Sequence, residues 1–264
     1  MIEIKYNQKN LKNNYTSLKM DFIFDSIFQG LTPAKVYVNN NRDYSLSIIQ
    51  EGVDYYFGGL GRNELDYQAV IDYFISTLVE KRTHKYHIAK IYFNSLKWKN
   101  LLLSKLSSYN IKLINYNLYQ HSLINMPKQQ AGDYSILAID KQLLQKELKH
   151  KAGLVAELNY MWGSVEGFLN NGFGSCTVKD QAITGWCTAE YVSDKNCGIG
   201  IETVEQYQKQ GIAYNNACNL LKMCKEKKLT AYWDCFANNI GSVKTAEKCG
   251  FNKILSYEII FLKY

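Results

Sequence analysis

The chain has 264 residues, of which 47% are hydrophobic and 21% are charged, and its formal net charge is +7. This composition is that of a globular protein with one large or two modest domains, and no apolar run of about 18 residues predicts a membrane-spanning helix. The polar start "MIEIKYNQKN" lacks the apolar core of a secretory signal, so we expect a cytoplasmic protein.

The cysteines and histidines show no metal-binding pattern. All seven cysteines lie between Cys176 and Cys249 without a Cys-x-x-Cys pair, which favours buried, reduced thiols over disulfides or zinc ligands. The four histidines show no ligand spacing, so no metal is expected. The lysines are scattered and form no nucleic-acid motif, so we expect a solvated surface and no nucleic-acid partner.

Residues 1–130 alternate between strand and helix patterns. Three strand-like runs form a predicted meander, and the helix that follows is strongly amphipathic. The predicted elements, in chain order, are a helix over 18–31, strands over 34–40, 43–50 and 53–59, a helix over 65–82, a strand over 87–94, a helix over 95–108 and a strand over 111–124.

The second half repeats this alternation. Its predicted elements are a strand over Asp133–Asp140, helices over 141–153 and 159–172, a hairpin over 172–192, a strand over Cys197–Val204, a helix from Ile212, a strand over Leu229–Phe236, a short helix stopped by Gly250, and a strand over 253–264. The predicted order is therefore β-α-α-β-β-β-α-β-α-β.

Two short motifs fall between these elements. The strand that ends at Val204 is joined to the next helix through "QKQGIA", residues 208–213. Alone, this hexapeptide indicates only a glycine-containing turn. After the next strand the chain reads Asn-Ile-Gly-Ser at 239–242 and Glu-Lys-Cys-Gly-Phe at 247–251. Together, in this order, the motifs and elements of residues 131–264 resemble the GNAT-type N-acetyltransferases.

The resemblance implies an acyl-CoA N-acyltransferase fold and an acetyl-CoA site. In the family, a Q/R-x-x-G-x-G/A loop presents backbone amides at a helix N-terminus to the pyrophosphate. The pantetheine arm enters between two strands that splay apart. Carried over to this chain, the implied cofactor-binding residues are Ile201, Thr203, Val204, Gln208, Lys209, Gln210, Gly211, Ile212, Ala213, Asn239 and Ser242. Asn239 is also a suitable cap for the last helix.

Acetyl transfer further needs a proton acceptor for the amine and a proton donor for the leaving thiolate. By position, Glu202 matches a glutamate that many relatives use as the base, although an exposed strand carboxylate explains it equally well. The tyrosine that relatives use as the acid is replaced by Ala246. The remaining candidate donors are Tyr232, Asp234, Cys235 and water. Trp233, on the same strand, is expected to be a core residue and not a platform for the substrate.

The parallel between the halves suggests a duplication. We expect an α/β protein of the α+β type, with a degenerate GNAT-like unit at 1–130 that walls the acceptor site and a catalytic GNAT domain at 131–264. An unrelated α/β domain at 1–130 is the alternative, because "GGLGRNELD" stands where the cofactor loop would be.

The predicted function is acetyl transfer from acetyl-CoA to the primary amine of a small molecule, with antibiotics among the candidate acceptors. The stretch "YWDCFANN" resembles the bacterial subgroup that includes the zwittermicin-resistance acetyltransferases. Two alternatives are a coenzyme-A-binding regulatory module without turnover and a tRNA-dependent aminoacyl transferase. The sequence determines neither the acceptor nor the oligomeric state.

Overall fold

Two strands of twelve residues, Asn110–His121 and Asn252–Lys263, each contribute one end to each of two compact units. The computed structural model describes residues 1–5, 10–40, 44–80 and 87–264. Unit 1 comprises residues 1–116 and 257–264, and unit 2 comprises residues 117–256. This division differs from the predicted 1–130 and 131–264, because the end of the last strand pairs within unit 1.

In its described residues, unit 1 consists of a sheet, three α-helices and two shorter helical segments. Its elements are β1 (Ile2–Ile4), a 3-10 segment (Leu11–Leu18), α1 (Asp21–Phe28), β2 (Lys35–Val38), β3 (Leu46–Glu51), β4 (Asp54–Gly59), α2 (Glu64–Tyr73) with a π-helical continuation (Phe74–Val79), β5 (Ile88–Phe93), α3 (Leu96–Lys105), the start of β6 (Asn110–His121) and the end of β12 (Asn252–Lys263).

The sheet of unit 1 is a meander followed by a parallel pair. Strands β1 to β4 are antiparallel neighbours, β5 is parallel to β4, and β12 pairs antiparallel with β5. Every residue of β4 is buried, which fits a strand covered on both faces. The core includes Ile260 and Leu262 of β12 beside Trp98 of α3. The final residues of the chain therefore complete the core of unit 1.

Unit 2 has the same succession with more helices. Its elements are the end of β6, β7 (Ser135–Ala138), α4 (Lys141–Gln145), α5 (Lys151–Trp162), α6 (Val165–Asn171), β8 (Gly174–Lys179), β9 (Ala182–Val192), β10 (Asn196–Thr203), a 3-10 turn (Glu205–Tyr207), α7 (Ile212–Glu226), β11 (Thr230–Phe236), α8 (Ile240–Lys248) and the start of β12.

The sheet of unit 2 repeats the pairing pattern of unit 1. Strands β7 to β10 are antiparallel neighbours, β11 is parallel to β10, and β6 lies next to β11. In both units a helix joins the two parallel strands, α2 in unit 1 and α7 in unit 2. The predicted duplication is supported by this shared order of strands and helices.

The predicted helices at 141–153 and 159–172 are wrong in their limits. The segment between α4 and α5 is extended, because Lys149 pairs with β9: its N–H donates to the Gln181 carbonyl at 3.0 Å. Gly163 has φ of +73° and ends α5, and the Ser164 hydroxyl then caps α6. The start of the predicted strand at 43–50 and the end of the predicted helix at 65–82 lie outside the described residues.

All seven cysteines are free and buried, as predicted. Five of them belong to the core between the sheet of unit 2 and α7 and α8: Cys187, Cys197, Cys224, Cys235 and Cys249. None of the helices that the structure describes is long and apolar enough to cross a membrane.

Candidate active site

Two parallel strands of unit 2 separate at their carboxyl ends. β10 pairs with β11 from Asn196↔Thr230 to Ile199↔Trp233, where this pairing ends. β10 continues beyond that point in pairing with β9, as far as Thr203. A gap therefore opens between β10 and β11, as the family resemblance led us to expect.

A cleft of about 470 Å³ occupies this gap and reaches the start of α7. Most of the predicted site residues line it: Ile201, Glu202, Thr203, Gln208, Lys209, Gly211, Ile212, Ala213, Asn239 and Ser242. Sequence reasoning missed five others, Tyr214, Gly241, Lys244, Thr245 and Lys248, and treated Trp233 as core only. The cleft thus brings both sequence motifs to one place.

The start of α7 is open toward the cleft. Gly211 is its N-cap, no side chain of the described residues caps the first turn, and this turn holds no acidic residue. Gly211 has φ of +77°, and among the described residues a Cβ there would meet only the Gln130 side chain, at 3.6 Å. Glycine is therefore required at this position by the left-handed backbone conformation and not by steric crowding. The first-turn amides are left for an external acceptor.

Three lysines add positive charge around this helix start. Lys209 precedes Gly211, and Lys244 and Lys248 lie one turn apart on α8. The Lys248 Nζ donates to Gln130 Oε1 at 3.1 Å and stands 4.4 Å from the centre of the Tyr214 ring. The spacing of four residues in "KTAEK" was the sequence signal that could have found the α8 pair.

The opposite wall is held by the start of α8. Asn239 caps this helix as predicted, because its Oδ1 accepts a hydrogen bond of 3.2 Å from the Ser242 amide. The Ser242 hydroxyl accepts a bond of 2.9 Å from the Trp233 indole N–H. Trp233 is buried, as predicted, and also lines the cleft. Asn239, Ser242 and Trp233 therefore form one fixed edge.

Two of the predicted cofactor residues do not line the cleft. The Val204 N–H donates to the Thr184 carbonyl at 3.0 Å. The Gln210 side chain donates to the Gln206 carbonyl at 3.5 Å. The amide of Val204 is therefore engaged within the chain, and Gln210 turns toward the 3-10 turn that precedes the loop.

Glu202 lies on the face of β10 opposite to Ile201 and Thr203. Side chains alternate along a strand, so Glu202 shares a face with Gly200, while Ile201 and Thr203 point to the other side. Thr188 of β9 is the register partner of Gly200, and Trp186 is the partner of Glu202. The exposed Glu202 carboxylate accepts a bond of 3.2 Å from the Thr203 amide. This bond directs it away from Gly200.

Glu157 of α5 approaches the same face. Its Oε1 accepts a bond of 3.2 Å from the Thr188 hydroxyl. Burial raises the pKa of the Glu157 carboxyl, the nearby Trp186 and Thr188 lower it, and the charge of Glu202 raises it again. The Trp186 N–H meets no acceptor within hydrogen-bond distance among the described residues, so it acts here as a nearby dipole. The only sequence signal was a glutamate within the apolar stripe of α5.

The raised pKa of Glu157 implies that the stability of the protein depends on pH through this residue. Ionised Glu157 costs stability above its folded-state pKa, and the cost vanishes below the unfolded value of about 4.3. Glu157→Gln is therefore expected to increase the free energy of unfolding at about pH 8 and to leave it unchanged below about pH 4. Urea unfolding at both pH values checks this. Glu147→Gln, whose side chain is 98% exposed, is the control, and an equal effect of Glu157→Gln at both pH values contradicts the prediction.

The position expected for a proton-donating tyrosine faces the core. Ala246 is fully buried among the residues between the sheet and α7 and α8. On β11, Trp233 and Cys235 are buried in that core, so Tyr232 and Asp234 alternate onto the other face. The Tyr232 hydroxyl accepts a bond of 3.2 Å from the Gln120 side chain. The proton donor stays a prediction.

Comparisons with known proteins show which family and fold this chain resembles. A family model described as GNAT acetyltransferase matches residues 12–260. The "Uncharacterized N-acetyltransferase YdfB" of Bacillus subtilis (strain 168) is 30% identical over 100 residues, which are 38% of this chain and 38% of that relative's own length.

Two solved structures share the fold. A GCN5-related N-acetyltransferase-like protein from Streptococcus suis 89/1591 aligns with a TM-score of 0.72 and 15% identity, over 97% of this chain and 98% of that one. A tandem GNAT protein from the clavulanic acid biosynthesis pathway aligns with a TM-score of 0.59 and 10% identity, over 100% of this chain and 97% of that one. The predicted fold class is thereby confirmed.

Proposed function

Because the chain belongs to the GNAT acetyltransferase family, we propose that unit 2 transfers an acetyl group from acetyl-CoA to the primary amine of a small molecule. The observation that carries this proposal is the cleft, where an uncapped helix start and three lysines stand at the mouth of a gap between two strands.

The mouth of the cleft suits the phosphates of acetyl-CoA. Helix N-termini bind anions because their first amides are unpaired and the helix dipole is positive there. Gly211 leaves these amides open. The ammonium groups of Lys209, Lys244 and Lys248 add positive charge and can donate hydrogen bonds to the phosphate oxygens. Gln208 extends the polar wall, and its side chain donates to the Thr203 carbonyl at 3.4 Å.

The gap suits the pantetheine arm, whose two amides can pair with a strand edge. Beyond Ile199 the edge of β10 is no longer paired with β11. We assign the arm to Ile201 and Thr203, with Asn239 and Ser242 on the facing wall. An arm carbonyl would replace Glu202 Oε1 as the acceptor for the Thr203 amide. The amide of Val204 is less suited, since it donates to Thr184. Glu202 remains the candidate base from the family resemblance.

The corresponding place in unit 1 is closed by the chain itself. β4 and β5 stay paired to Phe57↔Phe93, and the 3-10 segment lies across their ends. A Cβ on Gly58 would be 2.6 Å from the Tyr15 ring and 2.7 Å from the Asn14 carbonyl. The same Asn14 carbonyl accepts a bond of 2.8 Å from the Asn94 side chain.

The helix start in unit 1 is also unsuited to phosphate. Asn63 caps α2, since its Oδ1 accepts a bond of 3.1 Å from the Asp66 amide. Glu64 and Asp66 place two carboxylates in the first turn, which would repel phosphate. Unit 1 is therefore proposed to be a half without a cofactor.

We accordingly expect one acetyl-CoA to bind per chain. Isothermal titration calorimetry of the full chain gives this ratio directly. A ratio of two would contradict the closure of unit 1 by Asn14 and Tyr15.

We further propose an antibiotic as the amine acceptor and the cytoplasm as the location of the protein. The stretch "YWDCFANN" favours an antibiotic-modifying subgroup, and the seven reduced cysteines favour the cytoplasm. The function is tested by incubating the chain with acetyl-CoA and a panel of small primary amines, aminoglycosides included. Release of coenzyme A and a matching acetylated product are expected. Binding without product formation with any amine favours a coenzyme-A-binding module without turnover.

A further inference from the structure

We propose that Glu157 accepts the proton that the acceptor amine must lose before it attacks the thioester. This assignment rests on the acetyl transfer proposed above. It gives the step to a residue of helix α5, in place of Glu202 of β10.

The two faces of β10 differ in what packs against them, which bears on the side from which the amine approaches. Helices α7 and α8 pack on one face of the unit 2 sheet, to which Ile201 also points, and Thr203 Oγ1 and Ile212 both lie beside Gly185 on that face. With the cofactor on that face, the amine is placed on the opposite one, from which Glu202 also reaches the cleft. That is the face of Gly200 and Thr188, and therefore of Glu157.

Position along β10 separates the two glutamates. Gly200 is the first residue beyond the last β10–β11 pair, at the closed end of the gap. The acyl end of the cofactor is the end farthest from its phosphates, so it lies toward this closed end. Thr188 is opposite Gly200 and holds Glu157 there. Glu202 is two residues nearer the mouth, roughly 7 Å away along the strand.

Hydrogen bonding separates them further. The Glu202 carboxylate is turned to the Thr203 amide, at 3.2 Å, and is exposed. The Glu157 carboxylate is partly buried and fixed by the Thr188 hydroxyl at 3.2 Å. A base that is already oriented loses less conformational freedom when the amine arrives.

The surroundings of Glu157 make its carboxylate a better proton acceptor than an exposed one. Burial is the main cause of its raised pKa, and a base is most effective when its pKa is close to the working pH. Glu202 is the charged group that faces it from β10. From β9 it faces the Thr188 hydroxyl, which donates to it, and the Trp186 side chain.

A third carboxylate lies nearby and needs a comparison of its own. Glu190 of β9 rests on Gly200, since a Cβ there would be 1.9 Å from Glu190 Oε1. Glu190 therefore fills the space above that glycine. It is included in the test as a rival.

Acetyl transfer with Glu157 as the base moves two protons from the amine nitrogen. The ammonium group transfers one proton to the Glu157 carboxylate, and the freed nitrogen lone pair forms a C–N bond with the thioester carbon. The C–S bond breaks and its electron pair stays on sulfur. A second proton leaves nitrogen and ends on the thiolate, which gives the amide and free coenzyme A. Glu157 then returns its proton to water.

The test compares Glu157→Gln with Glu202→Gln and Glu190→Gln, with Glu147→Gln as the exposed control. The assay measures release of coenzyme A from acetyl-CoA with 1,3-diaminopropane as the probe amine, beside calorimetric binding of acetyl-CoA. For Glu157→Gln we expect kcat to fall about 100-fold or more, with unchanged acetyl-CoA affinity and loss of the acidic limb of the pH–rate profile. The other two variants are expected to lose less than about tenfold.

Several outcomes would overturn the assignment. One is a Glu157→Gln enzyme within about threefold of wild type, and another is a larger loss in Glu202→Gln or Glu190→Gln. A wild-type chain that binds acetyl-CoA but transfers no acetyl group to the probe amine also overturns the role of Glu157. That result leaves the proposed cofactor site in place. A wild-type chain that does not bind acetyl-CoA overturns the proposed function itself.

Discussion

Replacement of Ile260 with alanine is expected to lower the free energy of unfolding of unit 1 by roughly 2–5 kcal/mol. Ile260 is fully buried, pairs with Ile91 of β5 and belongs to the core that surrounds Trp98. Removing its methyl groups leaves a cavity that the neighbouring side chains fill only in part. Denaturant unfolding, combined with hydrogen exchange of the unit 1 amides, measures the effect.

The same strand supplies the matched control. Ile254 is also on β12 but is 45% exposed, so Ile254→Ala is expected to change stability by less than about 0.5 kcal/mol. Equal effects of the two substitutions would show that the end of β12 does not complete the core of unit 1. Removal of residues 257–264 is expected to destabilise unit 1 more than Ile260→Ala does, because Leu262 is lost as well.

The second large effect is expected at the helix start of unit 2. Gly211→Glu should weaken acetyl-CoA binding by about 100-fold or more, because a carboxylate would stand beside the phosphates. Two unit charges about 4 Å apart near a protein surface interact by roughly 4 kcal/mol, before screening and side-chain movement reduce it. Isothermal titration calorimetry against the wild-type chain measures the loss.

Backbone strain has to be separated from this electrostatic effect. Gly211 has φ of +77°, so any side chain there costs about 1–2 kcal/mol of stability. Gly163 ends α5 with φ of +73° and does not line the cleft. Gly163→Glu should therefore show the same loss of stability with unchanged binding. If both variants bind acetyl-CoA as wild type does, the loop is not the phosphate site.

The sequence was sufficient to locate the proposed cofactor half of the candidate site. The loop residues 208–213 and the Asn239 motif are short and continuous, and each lies where one element passes into the next. Such junctions are governed by local physics, the backbone conformation of glycine and the capping of a helix. Gly211 and Asn239 consequently occupy the cleft wall that the motifs predicted.

Helix limits in the second half depended on contacts that periodicity does not report. The predicted helix at 141–153 is interrupted because Lys149 pairs with β9. Local propensity could not reveal a pairing with residues some thirty positions later in the chain. The alternation of apolar residues shows which face of an element is buried, and it leaves the partner of that face open.

The sequence by itself determined the fold class, most of the order of the elements, the reduced cysteines and the position of the proposed cofactor loop. It missed β1 and the division of the first helical stretch of unit 2 into three helices. Only the tertiary structure decided that β12 completes the core of unit 1, that Tyr15 packs over Gly58 of β4, and that Glu157 accepts a hydrogen bond from Thr188 of β9. These features join residues that are far apart in the chain. They depend on strand pairing and on side-chain packing across elements, for which a single sequence carries no local signal.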